Sequence, residues 1–295
     1  MDDRIYIGGS LGIPIVNYER SATLRETDAS GDADNDFNYA SYQEDYSSKG
    51  IGINAKLGLI FKPANQIRAG LSVHSPTLYG LREKTTGRIE ADLEGYLRDP
   101  GLSIANADSI YTQFGADIPE YRFDLVSPWK FLISGSYFFT ESDDVTQQKG
   151  FITADIEYVT HGSFEYVTHG SSRFSSADQT GDNAYFRAVN EGVKYAYKGA
   201  FNFRAGGELK FSTFMTRLGF AWYGKPYDDK ELKASRMNIS GGLGYRDKGI
   251  FVDLAYIYSM HKDVHFPYRL ADKANVFANL KNNSSNVLLT VGFKF

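Results

Sequence analysis

The sequence predicts an antiparallel transmembrane β-barrel, and three observations carry that prediction. The last ten residues read N-V-L-L-T-V-G-F-K-F, with Val287, Leu289, Val291, Phe293 and Phe295 in one apolar row at period two and Asn286, Thr290, Gly292 and Lys294 between them. A terminal strand that ends on an aromatic residue is the pattern of a barrel's closing strand, apolar side to lipid and polar or small side to the lumen; the alternative is the last strand of a soluble sandwich. Secondly, nine further segments alternate in the same way. Thirdly, the connections between them are alternately short and long, the asymmetry between the periplasmic and external ends of outer-membrane barrels.

The first segment, Arg4 to Val16, puts Ile5, Ile7, Leu11, Ile13 and Ile15 on one face, and a polar stretch rich in Asp, Ser, Asn and Tyr follows. Ile51 to Lys62 turns outward Ile51, Ile53, Ala55, Leu57, Leu59 and Phe61. The turn Pro63-Ala64-Asn65-Gln66 then joins it as a hairpin to a third segment, Ile67 to about Leu81. Trp129 to Thr140 carries Phe131, Ile133, Tyr137 and Phe139, and a fifth segment from Phe151 carries Ile152, Ala154, Ile156 and Tyr158. Ala200 to Phe211, Phe214 to Trp222, Met237 to Tyr245 and Ile250 to Met260 complete the set before the closing strand. Short turns at 63–66, 141–149, 212–213 and 246–249 fall on the periplasmic side, while 17–50, 82–128, 161–199, 223–236 and 261–285 are expected as long external loops.

Composition narrows the function classes. The 32 Lys+Arg against 36 Asp+Glu leave a net charge of −4, with no basic excess to suggest nucleic acid. With no cysteine there is no disulfide framework, thiolate metal site or Cys nucleophile. No apolar run approaches the roughly 18 residues of a transmembrane helix, and the mean hydropathy of −0.37 fits a barrel whose apolar half is hidden by alternation. The 21 Tyr and 21 Phe suit interfacial aromatic girdles. Met1-Asp2-Asp3-Arg4 leads straight into a strand without an export signal, so the chain is expected to be one barrel domain, 1–295, lacking its signal and more.

Alternation turns Lys56, Arg68, His74, Asp155, Glu157, Arg204, Glu208, Lys210, Arg217 and Asp253 inward, where charges of both signs are expected to pair across a hydrated lumen. In the connection after the third segment, Ile89, Leu93 and Leu97 with Tyr96 have roughly helical spacing, and Leu102, Ile104, Ile110, Tyr111 and Phe114 extend an apolar patch that either receives a ligand or packs on the rim. The heptapeptide E-Y-V-T-H-G-S at 157–163 recurs at 165–171. The even shift predicts that each copy faces the same way in a lengthened strand end. His261, Asp263 and His265 share a strand face and are the weak candidates for Zn²⁺ or haem iron, or for acid/base work in a barrel hydrolase, although no serine nucleophile is marked by its surroundings.

The run Lys56-Leu57-Gly58-Leu59-Ile60-Phe61-Lys62-Pro63, the strand Ile67-Arg68-Ala69-Gly70-Leu71 and the segment His74-Ser75-Pro76-Thr77-Leu78-Tyr79 together resemble the FadL/TodX family of outer-membrane transporters for hydrophobic compounds. Ser127-Pro128-Trp129-Lys130, Ala154-Asp155-Ile156-Glu157-Tyr158-Val159, Gly242-Leu243-Gly244-Tyr245-Arg246 and Phe251-Val252-Asp253-Leu254-Ala255-Tyr256 are similar to family patterns in the same order. The resemblance implies a fourteen-stranded barrel with an N-terminal Asn-Pro-Ala plug, of which ten strands are legible here and the plug is not. It also implies passive passage of fatty acids or aromatic hydrocarbons to a lateral opening, with no cofactor and no catalysis. Arg68, His74 and Tyr79 in the lumen and Leu93, Leu97 and Phe114 in the loop are the candidate ligand-passage residues. The implied partners are hydrophobic small molecules, outer-membrane lipid and lipopolysaccharide, and the barrel-assembly machinery through the closing strand. A structural, adhesive or haem-receptor-like barrel stays open as the alternative.

Overall fold

The computed structural model describes the chain except residues 1–3, 95–101, 105–114, 116, 119, 140–148, 170–179, 268–272, 274 and 294–295. Fifteen strands and one α-helix are found among the described residues. They are β1 (Ile5–Gly12), β2 (Ile15–Thr27), β3 (Tyr39–Ala64), β4 (Ile67–His74), β5 (Leu78–Asp92), β6 (Leu102–Ile104), β7 (Tyr121–Val126) and β8 (Lys130–Phe138). After these come β9 (Gly150–Val159), β10 (Glu165–Thr168), helix α1 (Thr180–Ala196), β11 (Ala200–Phe211), β12 (Phe214–Tyr223), β13 (Ser235–Asp247), β14 (Ile250–His265) and β15 (Ala278–Phe293).

All ladders are antiparallel, and β3 is long enough to belong to two stretches of wall. Its second half pairs with β1 and β4, beginning a lower wall of ten strands in the order β1-β3-β4-β8-β9-β11-β12-β13-β14-β15. Its first half pairs with β2 and β5, and β7 and β10 continue this upper wall. The ten lower strands are the ten alternating segments of the sequence. Tight turns join β3 to β4, β11 to β12 and β13 to β14 at one end, while most of the turn expected at 141–149 lies outside the described residues. Lys248 and Gly249 both take positive φ (43° and 83°), the primed hairpin geometry that matches strand twist.

The register lines up one apolar belt. A single rung joins Ile7, Leu59, Leu71, Ile133, Ile156, Phe203, Trp222, Met237 and Met260 across nine strands. Ile7, Leu11, Leu218 and Val287 are more than 70% exposed, so the belt is far larger than the few hundred Å² of apolar patch a soluble surface tolerates. Aromatic girdles bound it, with Phe201 near Tyr158 (ring centroids 4.8 Å apart) at one end and Phe214 near Tyr245 (5.2 Å) at the other. Phe201 and Phe211 lie ten residues apart on β11; at about 3.4 Å per residue and a tilt near 40°, they are separated by roughly 26 Å of bilayer depth.

Several expectations are corrected here. The connections 17–50 and 82–128 are not loops throughout, because they hold β2, the first half of β3, β5 and β7. Above the belt neither face of a strand meets lipid, and the outward apolar alternation that marks the lower strands disappears. Ile89 lies on β5 opposite Tyr42, so the helical spacing it shares with Leu93 and Leu97 does not describe a helix at that position. The connection 161–199 contains β10 and α1.

The tandem heptapeptide faces two ways. Three residues, Ser75–Thr77, separate β4 from β5 where β3 offers only Asn54 and Ala55 between its partners, so one extra residue inverts the alternation of β5. The facing strands β7 and β8 break over Ser127–Trp129 and invert with it, and β9 and β10 break over Thr160–Phe164. In the first copy Glu157 therefore points inward and Tyr158 toward lipid, whereas in the second Glu165 points outward and Tyr166 inward.

Candidate functional site: the inner wall

On the inner face below the break, glycines and serines replace bulk. Gly8, Gly58, Ser72 and Leu132 form one rung, and Ser10, Lys56, His74 and Lys130 form the next. A side chain at Gly8 would meet no atom within 4 Å and one at Gly58 only the Ser72 Cβ at 3.7 Å and the Leu71 carbonyl oxygen at 3.8 Å, so this stretch of wall is bare backbone. The result is a groove of about 500 Å³ lined by Tyr6, Ile60 and Leu132 as well as these small residues, with Lys56 as its charged member. That volume is within the roughly 300–1,000 Å³ of small-molecule sites. Lys56, His74 and Lys130 make no ion pair within 4.0 Å among the described residues.

Further round the wall the inward charges are paired, as the alternation predicted. Arg217 Nε donates to Glu208 (2.6 Å) and its Nη1 to Asp253 (2.7 Å), joining β11, β12 and β14. Arg204 Nε donates to Asp155 (2.6 Å), and Asn202 Nδ2 donates to the buried Glu157 (2.7 Å). These acids are satisfied by neighbouring strands, and the groups left to greet a solute are the cations beside the groove.

Above the break the inversion brings apolar side chains inside. Leu81 and Phe123 are buried, and Phe123, Tyr166 and Phe186 of α1 form an aromatic cluster with centroids 5.4 to 6.2 Å apart. Gly52 leaves room for the Tyr79 ring: a Cβ there would lie 2.6 Å from Tyr79 Cδ1. The break itself is stitched by side chains. Pro76 lies opposite Pro128, neither with an N–H to give, while Thr77 N–H donates to Ser127 Oγ (2.8 Å) and Ala55 N–H to Ser75 Oγ (2.9 Å).

The predicted site residues are placed as follows. Arg68 faces inward over the ring of Phe138, 4.2 Å from its centroid. His74 stands between Lys56 and Lys130, and Tyr79 reaches the inner face only because of the extra residue at Ser75–Thr77. Leu93 follows the end of β5, half-buried; Leu97 and Phe114 lie outside the described residues. His261, Asp263 and His265 share the inner face of β14, but among the described residues no three metal-ligating side chains gather. His261 stands 4.0 Å from Asp263, whose Oδ1 accepts from Tyr227 Oη (3.2 Å) and Val264 N–H (2.8 Å). Burial and the Asp263 charge push the Tyr227 hydroxyl up to about 12, so it stays protonated and keeps donating. Lys130 was missed in the sequence reading, although its even position on the fourth segment places it inward. The aromatic cluster was missed because the inversion hides it.

A search of solved structures matches the whole of this chain, at 12% identity and a TM-score of 0.53, to 76% of the chain in the crystal structure of a Pseudomonas aeruginosa FadL homologue. The fold is FadL-like. No protein-family model and no curated protein sequence matches. In this FadL-like wall the groove and its basic rung sit just below the break in β4/β5 and β7/β8, and the aromatic cluster sits just above it.

Proposed function

We propose that the chain forms the wall of an outer-membrane transporter that lets hydrophobic molecules with one acidic end, long-chain fatty acids foremost, cross by diffusion. The observation that carries this reading is the groove of about 500 Å³ whose bare floor suits an alkyl chain and whose charged member is Lys56, next to His74 and Lys130. A carboxylate set against cations without ion-pair partners gains a charge-assisted hydrogen bond. Its chain replaces water over glycine backbone and apolar side chains. The steps are binding and release alone; the wall supplies no catalysis, cofactor or energy coupling. The proline-paired break beside the groove supports a lateral route of the FadL kind, because Pro76 and Pro128 donate no backbone hydrogen bond there and hydroxyls share the contact with the backbone bonds that remain.

Uptake of labelled oleate by a transport-deficient Gram-negative strain expressing the protein is the test. Lys56→Ala is expected to reduce uptake about tenfold, on the scale of one charge-assisted hydrogen bond of roughly 1.5 kcal/mol. Gly58→Leu, which fills the groove floor, should reduce it as far without changing charge. Uptake unchanged by both substitutions would remove the groove from the path. No uptake by the parent protein would favour the structural or adhesive barrel.

A further inference from the structure

Directly above the lipid belt the outer face changes character within one rung. Ile15 pairs with Ile51, and two residues on, about 7 Å along the strands, Asn17 pairs with Lys49, Lys49 with Arg82 and Arg82 with Arg122. His169 follows Thr168, the partner of Phe123, and so completes the same rung from β10. Three basic side chains thus stand in consecutive strands, with His169 just past the end of a fourth, over roughly 14 Å at about 4.8 Å per strand. All are exposed, and they line one shallow concavity of about 580 Å³ floored by Ile15 and Ile51.

Acids stand nearby but do not neutralise the row. Glu19 lies 3.7 Å from Lys49 and Glu120 3.8 Å from Arg122, loose pairs between side chains at least half exposed, which are worth little. Asp124, one rung lower, contacts His169 at 2.9 Å. Arg82, at the centre, has no ion-pair partner among the described residues. A row of cations at the rim of an apolar belt matches one kind of molecule: acyl chains below, phosphates at the rim. Arg also offers the planar, two-pronged donor geometry that phosphate oxygens accept.

We propose that Lys49, Arg82, Arg122 and His169 form a docking site for a phosphorylated outer-leaflet glycolipid of the lipid A type, its acyl chains lying on the belt and its phosphates spanning the row. The site rests on the outer-membrane reading above but not on transport. It also gives the heptapeptide duplication a use: the second copy carries β10 up beside β7 and delivers His169 to the row, while His161 of the first copy lies in the turn at the break.

The test titrates the purified full chain, in uncharged detergent, with fluorescent bisphosphorylated lipid A and with the same lipid stripped of both phosphates. The parent protein is expected to prefer the phosphorylated form at least tenfold, and Arg82→Ala/Arg122→Ala is expected to erase that preference. Heat-modifiable gel mobility checks that the variant is folded, and Arg82→Lys/Arg122→Lys should restore part of the preference if the doubly substituted alanine protein migrates as unfolded. Equal binding of both lipids by the parent, or a preference unchanged in the variant, would overturn the proposal. Displacement of the lipid by millimolar inorganic phosphate would also overturn it, since that is a plain anion site without use of the belt. Oleate uptake by the alanine variant should equal that of the parent. A protein that takes up no oleate yet still selects the phosphorylated lipid would sink the transport reading and leave this one standing.

Discussion

Asn190 acts as a stand-in for a strand. Its Oδ1 accepts from the Tyr166 N–H and its Nδ2 donates to the Tyr166 carbonyl, both at 2.8 Å, so one side-chain amide supplies the two hydrogen bonds a neighbouring strand would have given the edge of β10. Asn183 adds a third contact, accepting from Thr168 Oγ1 at 2.8 Å. Asn190→Leu keeps the bulk and leaves both backbone groups without these partners, at about 1–3 kcal/mol for a part-buried group. The expected outcome is faster hydrogen exchange at the Tyr166 amide and earlier proteolytic nicking within α1, with the lower wall unchanged. An exchange rate equal to that of the parent would mean that the aromatic cluster alone holds the helix. Neither asparagine was legible in the sequence, since a polar residue on a short amphipathic helix reads as solvated until the strand beneath it is known.

At the scale of elements, what the sequence disclosed follows where lipid lies. In the belt one face of every strand must be apolar, and Leu57, Ile133, Leu218 and Val287 announce it; the ten lower strands and their inward charges other than Lys130 were legible for that reason. In the upper wall no face meets lipid, so β2, β5 and β7 carry no such outward stripe, and their ladders are fixed by the strands below them. The inversion was the hardest feature to see. His74-Ser75-Pro76-Thr77 and Ser127-Pro128-Trp129 stood out as motifs, but one surplus residue on β5 becomes visible only when β3 is laid beside it. Deleting Pro76 should therefore bring β5 into step with β3 without the surplus residue and leave Leu78 and Arg82 outward and Tyr79 and Leu81 inward, because Leu78 keeps Ile53 as its partner. The upper wall of that variant should keep its protease resistance, read from the size of the protected fragment. Loss of resistance would show that β5 had slipped by one residue against β3 and turned its apolar side chains outward.

The belt and the inversion together make a claim about the whole molecule that thiol chemistry can check cleanly, because the chain has no cysteine. Adjacent residues Lys56 and Leu57 lie on opposite faces of one strand, and equivalent residues of the duplicated heptapeptide, Tyr158 and Tyr166, lie on opposite faces of the wall. Single substitutions Leu57→Cys and Tyr158→Cys, labelled with an environment-sensitive probe in vesicles, should be quenched strongly by lipids brominated on their acyl chains. Lys56→Cys and Tyr166→Cys should escape that quenching, and Lys56→Cys should react several-fold faster than Leu57→Cys with a membrane-impermeant thiol reagent. A soluble sandwich would give no lipid quenching at any of the four positions. A barrel without the inversion would quench Tyr158 and Tyr166 alike, because eight residues is an even number and an unbroken strand would return both to the same face. The pair at 56 and 57 thus tests the belt and the pair at 158 and 166 tests the break. Only a wall with both gives opposite answers within each pair.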